Sequence, residues 1–89
     1  MYDIIDAKYV KDYQVEFHFA DNSSGLVDFA EYKTKPGLFA ELRDITFFRN
    51  FKLDNELGTI TWQNGLDIAP DTLYFKATGK LPKGLDLKS

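Results

Sequence analysis

Apolar and polar side chains alternate strictly along residues 14–19, with the two-residue period of a strand that buries one face and exposes the other. The flanking segments 4–10 and 26–29 are also apolar enough to form strands, and polar turn-forming residues separate each of them from residues 14–19. The pattern therefore predicts three consecutive antiparallel strands. The side chains expected to enter the core from the central strand are Val15, Phe17 and Phe19.

Two short helices are predicted after the third strand. Residues 36–37 (Pro-Gly) are typical of a turn that precedes a new element. The apolar side chains that follow, Leu38, Phe39 and Leu42, have the spacing of one buried helical face. Asp44 then stands immediately before a second helical turn, where its carboxylate can accept hydrogen bonds from the first free amides. A cap of this kind stabilises a helix by roughly 1 kcal/mol.

Residues 51–53 and 59–62 predict a second hairpin, with Gly58 in the left-handed conformation at the end of the loop. In this register Ile60 and Trp62 point into the core. The residues expected to face outward are Thr59, Thr61 and Gln63.

Asn64-Gly65 is a strong signal for a two-residue turn. After this turn Leu66 and Ile68 can pair back briefly, before Pro70 ends any strand ladder.

A last helix is predicted to begin at Pro70, because proline suits the first helical position and Asp71 complements the helix dipole. Gly79 would close this helix, and its inner face would consist of Leu73, Tyr74 and Ala77. The whole pattern predicts an α+β domain over residues 1–79, with a mostly antiparallel sheet of about five strands and short helices in the order β-β-β-α-α-β-β-α. Residues 80–89 are predicted to form a flexible basic C-terminal tail.

Composition supports a single small domain that depends on its apolar core. The chain has 89 residues, among them eight Phe, five Tyr and one Trp, and it has no cysteine for disulfides or thiolate chemistry. Its N-terminal sequence has neither a basic leader nor an apolar run of signal length, and no segment approaches the roughly 20 apolar residues of a membrane span. We therefore expect a cytoplasmic protein with no membrane contact.

Charge is distributed unevenly along the chain. The net charge is −3, and residues 1–75 hold seven Lys/Arg against thirteen Asp/Glu, whereas residues 76–89 hold four Lys and one Asp. An acidic domain lacks the favourable phosphate contacts that supply most nucleic-acid affinity. The composition therefore predicts no direct nucleic-acid binding and favours a basic protein partner.

The sequence offers no constellation of catalytic residues. His18 is the only histidine, and Ser23 and Ser24 near it are explained by the adjoining turn. Asp67 and Asp71 form a pair of carboxylates, but no third ligand follows at a recognisable metal-binding interval. No phosphate-binding glycine loop occurs either. We predict no catalytic residues, no metal site, no cofactor and no enzymatic activity.

Residues 42–74 carry three recognisable pieces. These are Leu-Arg-Asp before an aromatic-rich turn at 42–48, a Gly-Thr-Ile-x-Trp strand at 58–62, and Asn-Gly-x-Asp-x-Ala-Pro-Asp-x-Leu-Tyr at 64–74. With the strand pair around residues 19–28, they make the chain resemble the bacterial domain-of-unknown-function 2442 family over nearly its whole length. Gln63 is a departure, since many relatives carry proline at this position.

The resemblance implies a small α+β domain that is found alone or ahead of a helix-turn-helix domain. It also implies a gene often placed beside that of another small protein, in arrangements that look like toxin and antitoxin pairs. No catalytic residues are carried over, because the family has none assigned.

We therefore expect a protein-binding or regulatory module, such as the antitoxin-like half of a small operon, with a basic operon neighbour as partner. The alternative is a small-ligand sensing domain related to those fused to helix-turn-helix regulators, and a homodimer is compatible with either. Turns on rigid hairpins often carry binding groups. The candidate partner contact is accordingly placed at Asn64, Gly65 and Asp67.

Overall fold

The first three strands form one antiparallel sheet in the order β1-β2-β3. In the computed structural model, which describes residues 2–80, β1 is Ile4–Lys11, β2 is Gln14–Phe19 and β3 is Ser24–Asp28. On the inner face Phe17 of β2 lies between Ala7 of β1 and Gly25 of β3. The alternation along residues 14–19 therefore predicted the buried face of the central strand correctly.

The β2–β3 turn is tighter than the polar cluster at residues 21–25 suggested. The amide of Asn22 donates to the carbonyl of Phe19 (2.9 Å), and the amide of Phe19 donates to the carbonyl of Ser23 (2.8 Å). Asn22 takes the left-handed conformation with φ of 73°. Asparagine tolerates this conformation better than most residues. The turn therefore ends at Ser23, and β3 begins two residues earlier than predicted.

The remaining two strands form a separate two-stranded sheet, so the prediction of one sheet of about five strands was only partly correct. Strand β4 is Lys52–Asp54 and pairs antiparallel with β5, which is Thr59–Thr61. Gly58 has φ of 70°, as predicted, and its carbonyl accepts a hydrogen bond of 2.9 Å from the amide of Ile4. This hydrogen bond and the contacts of β1 with both short strands place the second sheet beside β1.

Two 3₁₀ helices, Ala30–Thr34 and Gly37–Arg43, precede the α-helix α1, which is Ile45–Arg49. The first of the two predicted α-helices is thus a 3₁₀ helix, and the one at Ala30–Thr34 was not predicted. Three residues per turn place positions i and i+3 on one face, so Phe39 and Leu42 face inward. Leu38, which an α-helix would have buried, is 47% exposed.

The α-helix α2 is Pro70–Thr78, and it ends at Gly79 with φ of 75°, as predicted. It packs against β3 at Gly25, where an added β-carbon would lie 2.0 Å from the carbonyl oxygen of Ala77. Only a residue without a side chain permits this approach of helix and strand.

One apolar core joins both sheets and the helices. The five side chains predicted to share it, Val15, Phe17, Phe19, Ile60 and Trp62, are all buried in it. Thr59 was predicted to face outward, yet it is 3% exposed and its hydroxyl donates to the carbonyl of Ile68 at 2.6 Å. This hydrogen bond satisfies the only polar group of the side chain, so a threonine can be buried there. The predicted tail lies almost entirely in residues 81–89, outside the described part of the chain.

Candidate functional site

The segment from Trp62 to Asp67, here called the Asn64 turn, is a three-residue turn rather than the predicted two-residue one. The amide of Gly65 donates to the carbonyl of Trp62 (3.0 Å), and the amide of Trp62 donates to the carbonyl of Leu66 (2.9 Å). Gly65 alone takes a positive φ, of 89°, so it follows a turn whose central residues are Gln63 and Asn64. A single bridge between Thr61 and Asp67 confirms that the chain pairs back only briefly.

The side chain of Asn64 holds the turn from both sides. Its Oδ1 accepts from the amide of Leu66 at 2.9 Å, and its Nδ2 donates to the carbonyl of Leu38 and to Oε1 of Glu41, both at 3.2 Å. These bonds fix the turn against the second 3₁₀ helix. Asn64 was one of the three residues predicted to contact a partner. Its role in the domain is structural, because both ends of its side-chain amide already make hydrogen bonds within the domain.

Buried side chains support the base of the Asn64 turn. Trp62 is 4% exposed, and its Nε1 donates to the carbonyl of Phe48 at 2.9 Å. Leu66 and Ile68 are also buried, whereas Gly65 and Asp67 are exposed. The turn thus presents two exposed residues, Gly65 and Asp67, here called its tip, on a base that packing holds in place, and Glu41 adds a second exposed carboxylate beside the turn.

His18 lies on the exposed outer face of the first sheet, as predicted. Cross-strand pairing puts Asp6 on one side of it and Ser24 on the other. Within residues 2–80, however, the nearest ionic partner of His18 is Glu16, whose carboxylate is 3.8 Å from Nε2. Both side chains are 47% exposed. Within residues 2–80 His18 makes no hydrogen bond to a serine, and its side chain lies on an open sheet face.

Asp71 occupies the first turn of α2, where its negative charge interacts favourably with the helix dipole. The N-cap residue of this helix, Ala69, makes no side-chain capping hydrogen bond. Among residues 2–80 no group of three or more His, Cys, Asp or Glu side chains is arranged to hold a metal ion. None of the helices in the same range has the length and apolar character of a membrane span.

A hydrogen-bonded group ties α2 to the β2–β3 turn. The hydroxyl of Tyr74 donates to Oδ2 of Asp21 at 2.7 Å and lies 3.4 Å from the hydroxyl of Ser23. The hydrogen bond from Tyr74, together with that from the Ser23 amide, holds the pKa of Asp21 below its ordinary value. The Tyr74 ring also packs on Tyr2 and Phe19, so this group stabilises the domain rather than forming an open site.

Sequence reasoning missed a surface on which basic side chains lie over tyrosine rings. We call it the cationic face and define it by Lys33, Lys35, Arg43, Arg49 and Lys76. These residues come from four helices, with Lys35 as the C-cap residue of the first 3₁₀ helix, and they are spread over more than forty positions of the sequence. No local spacing pattern joins them, so only the fold shows that they share a surface.

The model of the family described as "Protein of unknown function (DUF2442)" matches residues 4–79. The chain therefore belongs to the DUF2442 family, which confirms the resemblance found in the sequence. No curated protein shows a significant match to the chain, and no solved structure does so either.

Proposed function

We propose that this DUF2442 domain is a cytoplasmic protein-binding module without enzymatic activity, the antitoxin-like or regulatory half of a small operon. Its partner is a basic protein encoded by a neighbouring gene. The partner contacts the exposed tip of the Asn64 turn at Gly65 and Asp67.

The observation that carries this proposal is the contrast between the base and the tip of the Asn64 turn. Its base is held by buried Trp62 and by the hydrogen bonds of Asn64, while Gly65 and Asp67 are exposed. A loop fixed in this way loses little conformational entropy when a partner binds. The carboxylates of Asp67 and nearby Glu41 favour a basic partner through electrostatic complementarity.

A second candidate function is the sensing of a small ligand, and one feature favours it. A pocket of about 100 Å³ opens beside Trp62 and is lined by Asn50, Lys52, Thr61 and Gln63. Ligand sites usually have volumes of roughly 300 to 1,000 Å³. This pocket therefore suits only a ligand of a few atoms, and we place protein binding first.

The test is co-expression of the tagged domain with the product of its neighbouring gene, followed by co-purification. We expect a complex that forms more slowly as salt rises, because exposed charges are screened over about 8 Å at 0.15 M salt. Asp67→Lys should weaken the complex. Glu16→Lys, an equal charge change on the outer face of the sheet, should leave it intact.

Two results would contradict the proposed contact with a partner, and a third would contradict the absence of enzymatic activity. The first is a failure of the wild-type domain to co-purify with the neighbouring protein. The second is equal weakening by Asp67→Lys and Glu16→Lys, which would indicate attraction through net charge without a contact at the turn. Hydrolase activity of the purified domain would contradict the assignment as a non-enzymatic module.

A further inference from the structure

Tyrosine rings form the floor of the cationic face. The Nζ of Lys33 lies 4.4 Å from the ring centroid of Tyr13, and Cζ of Arg49 lies 4.7 Å from that of Tyr9. Cations at these distances are attracted by the negative face of the ring. These contacts therefore favour positions of the cations close to the surface over positions extended into solvent.

The same arrangement recurs at the other end of the face. Lys35 and Lys76 lie over the ring of Tyr32, with Nζ 5.7 Å and 5.3 Å from its centroid. Tyr32 and Lys33 are neighbours in the first 3₁₀ helix, which joins the two ends of the face.

Backbone contacts connect Arg43 to the same surface. Its Nε donates to the carbonyl of Lys33 at 3.0 Å, and its own carbonyl accepts from the hydroxyl of Tyr13 at 2.9 Å. The ring of Phe48 contacts both Tyr13 and Tyr9 from below. The cationic face is thus one contiguous surface.

Within residues 2–80 most of these cations have no carboxylate in direct contact, although the chain has fourteen acidic and eleven basic residues, and Glu31 interacts with Lys35 only at longer range. Within residues 2–80 the ion pair on this face is that of Lys76 with Glu31, at 2.8 Å. For Lys33, Lys35, Arg43 and Arg49 no carboxylate of the same range lies within 4.0 Å. In a domain with excess acid, unpaired cations on one surface favour an external anion as their partner.

The geometry distinguishes between two kinds of anionic partner. Single-stranded nucleic acids bind by stacking bases on exposed aromatic faces. The ring of Tyr13 has Phe48 on one side, at a centroid distance of 4.8 Å, and Lys33 over its face. Tyr32 stacks on Phe39 at 5.4 Å and has Lys35 and Lys76 near it. These rings are occupied, so the face offers point charges to an anion and no stacking platform to a base.

We propose that the cationic face binds an acidic segment of a protein, through carboxylates that contact Lys33, Lys35 and Arg49. This interaction uses a surface other than the tip of the Asn64 turn and does not depend on the function proposed above. A short acidic segment can end where the face ends, whereas a long nucleic acid would continue onto the acidic remainder of the domain.

The test uses the full chain and two fluorescein-labelled probes. One probe is a short peptide of alternating glutamate and glycine, and the other is a uridine oligonucleotide with the same number of negative charges. Binding is measured by fluorescence anisotropy at low salt and at about 0.15 M salt. We expect the peptide to bind more tightly than the oligonucleotide, and its affinity to fall as salt rises.

Two triple variants with the same change in net charge localise the contact. The first combines Lys33→Gln, Lys35→Gln and Arg49→Gln. We expect it to weaken peptide binding about tenfold, since each exposed charge pair contributes roughly a factor of 1.5 to 5. The control combines Lys8→Gln, Lys52→Gln and Lys80→Gln, all exposed lysines outside the face. It should change the affinity less than about twofold.

Chemical-shift mapping of the wild-type domain gives an answer even if the first variant folds poorly. Addition of the peptide should shift the backbone amides of residues 33–35 and 49 and leave those of residues 64–67 unchanged. Tighter binding of the oligonucleotide, equal weakening by both triple variants, or shifts confined to other residues would each overturn the proposal. Because the Asn64 turn is followed separately, failure here leaves the co-purification test unaffected.

Discussion

Gly25→Ala is the substitution that tests the packing of the domain most directly. The new β-carbon would lie 2.0 Å from the carbonyl oxygen and 2.7 Å from the carbonyl carbon of Ala77. Distances below 3.0 Å are not tolerated, so helix and strand must separate by about 1 Å or more at this point. The atoms in the way belong to the backbone of α2, and no rotation of a side chain can relieve the contact.

The loss of unfolding free energy depends on the displacement of α2 that the new β-carbon requires. Overpacking usually costs about 1 to 3 kcal/mol. We expect a value near 3 kcal/mol here, because displacing α2 also disturbs its buried side chains Leu73 and Tyr74. A domain of this size has a total stability of roughly 5 to 13 kcal/mol. Gly25→Ala should therefore fold, but with a large part of its stability lost.

Urea unfolding followed by circular dichroism measures this loss. With a slope of about 1.5 kcal/mol per molar urea, the midpoint should fall by about 2 M. Ser24→Ala, at the exposed preceding position of the same strand, is the matched control and should stay within about 0.5 kcal/mol of the wild type. If Gly25→Ala were as stable as this control, α2 would not approach β3 as closely as described.

Substitutions at four further positions have outcomes that the structure determines. Trp62→Ala should cost about 3 to 5 kcal/mol in urea unfolding, and Trp62→Phe about 1 to 3 kcal/mol, because the phenylalanine keeps an aromatic ring but leaves the buried carbonyl of Phe48 without its donor. Asp44→Ala should cost about 1 kcal/mol, since it removes the acceptor for the first amides of α1, and a neutral result in thermal melting would contradict the capping role. Gln63→Pro should add about 0.4 to 1 kcal/mol, because proline favours the first central position of this turn; a loss of stability would show that the turn has another conformation. Asp21→Asn should flatten the dependence of melting temperature on pH: the folded state lowers the pKa of Asp21, so its contribution is complete above the ordinary value of 3.8 and is lost as pH falls below it, and an unchanged acid profile would contradict this.

The parts of the fold that the sequence predicted are those controlled by local chemistry. Alternation along residues 14–19 identified the central strand and its inner face, because one face of a sheet must be buried. Asp44, Pro70 and Gly79 marked helix ends correctly, because capping and backbone conformation depend on the residue itself.

The parts that were missed depend on contacts between distant residues. Alternation placed Thr59 outside, but the segment ending at Ile68 covers it and supplies a hydrogen-bond acceptor. At Asn64-Gly65 the turn signal was correct, but the turn type was not. The side chain of Asn64 is held by Leu38 and Glu41, and that contact is visible only after folding.

The candidate surfaces were predictable to different degrees for the same reason. A turn is a continuous segment, so the tip at Gly65 and Asp67 could be proposed from sequence alone. The cationic face is assembled from separate segments, and the net charge of −3 conceals it. Net charge is the sum of all charges of the protein. It therefore predicts the charge of a partner only when no local surface carries the opposite sign.

The second 3₁₀ helix borders both candidate surfaces. Its residue Glu41 contacts Asn64 on one side, and its residue Arg43 contacts Tyr13 and Lys33 on the other. Exposed charges interact over about 8 Å at 0.15 M salt and over about 30 Å at 0.01 M salt. A charge change on one surface should therefore alter affinity at the other at low salt, with less effect as salt rises. A single partner that carries a basic segment beside an acidic one could bind both surfaces at once, and its affinity would then exceed that of either segment alone.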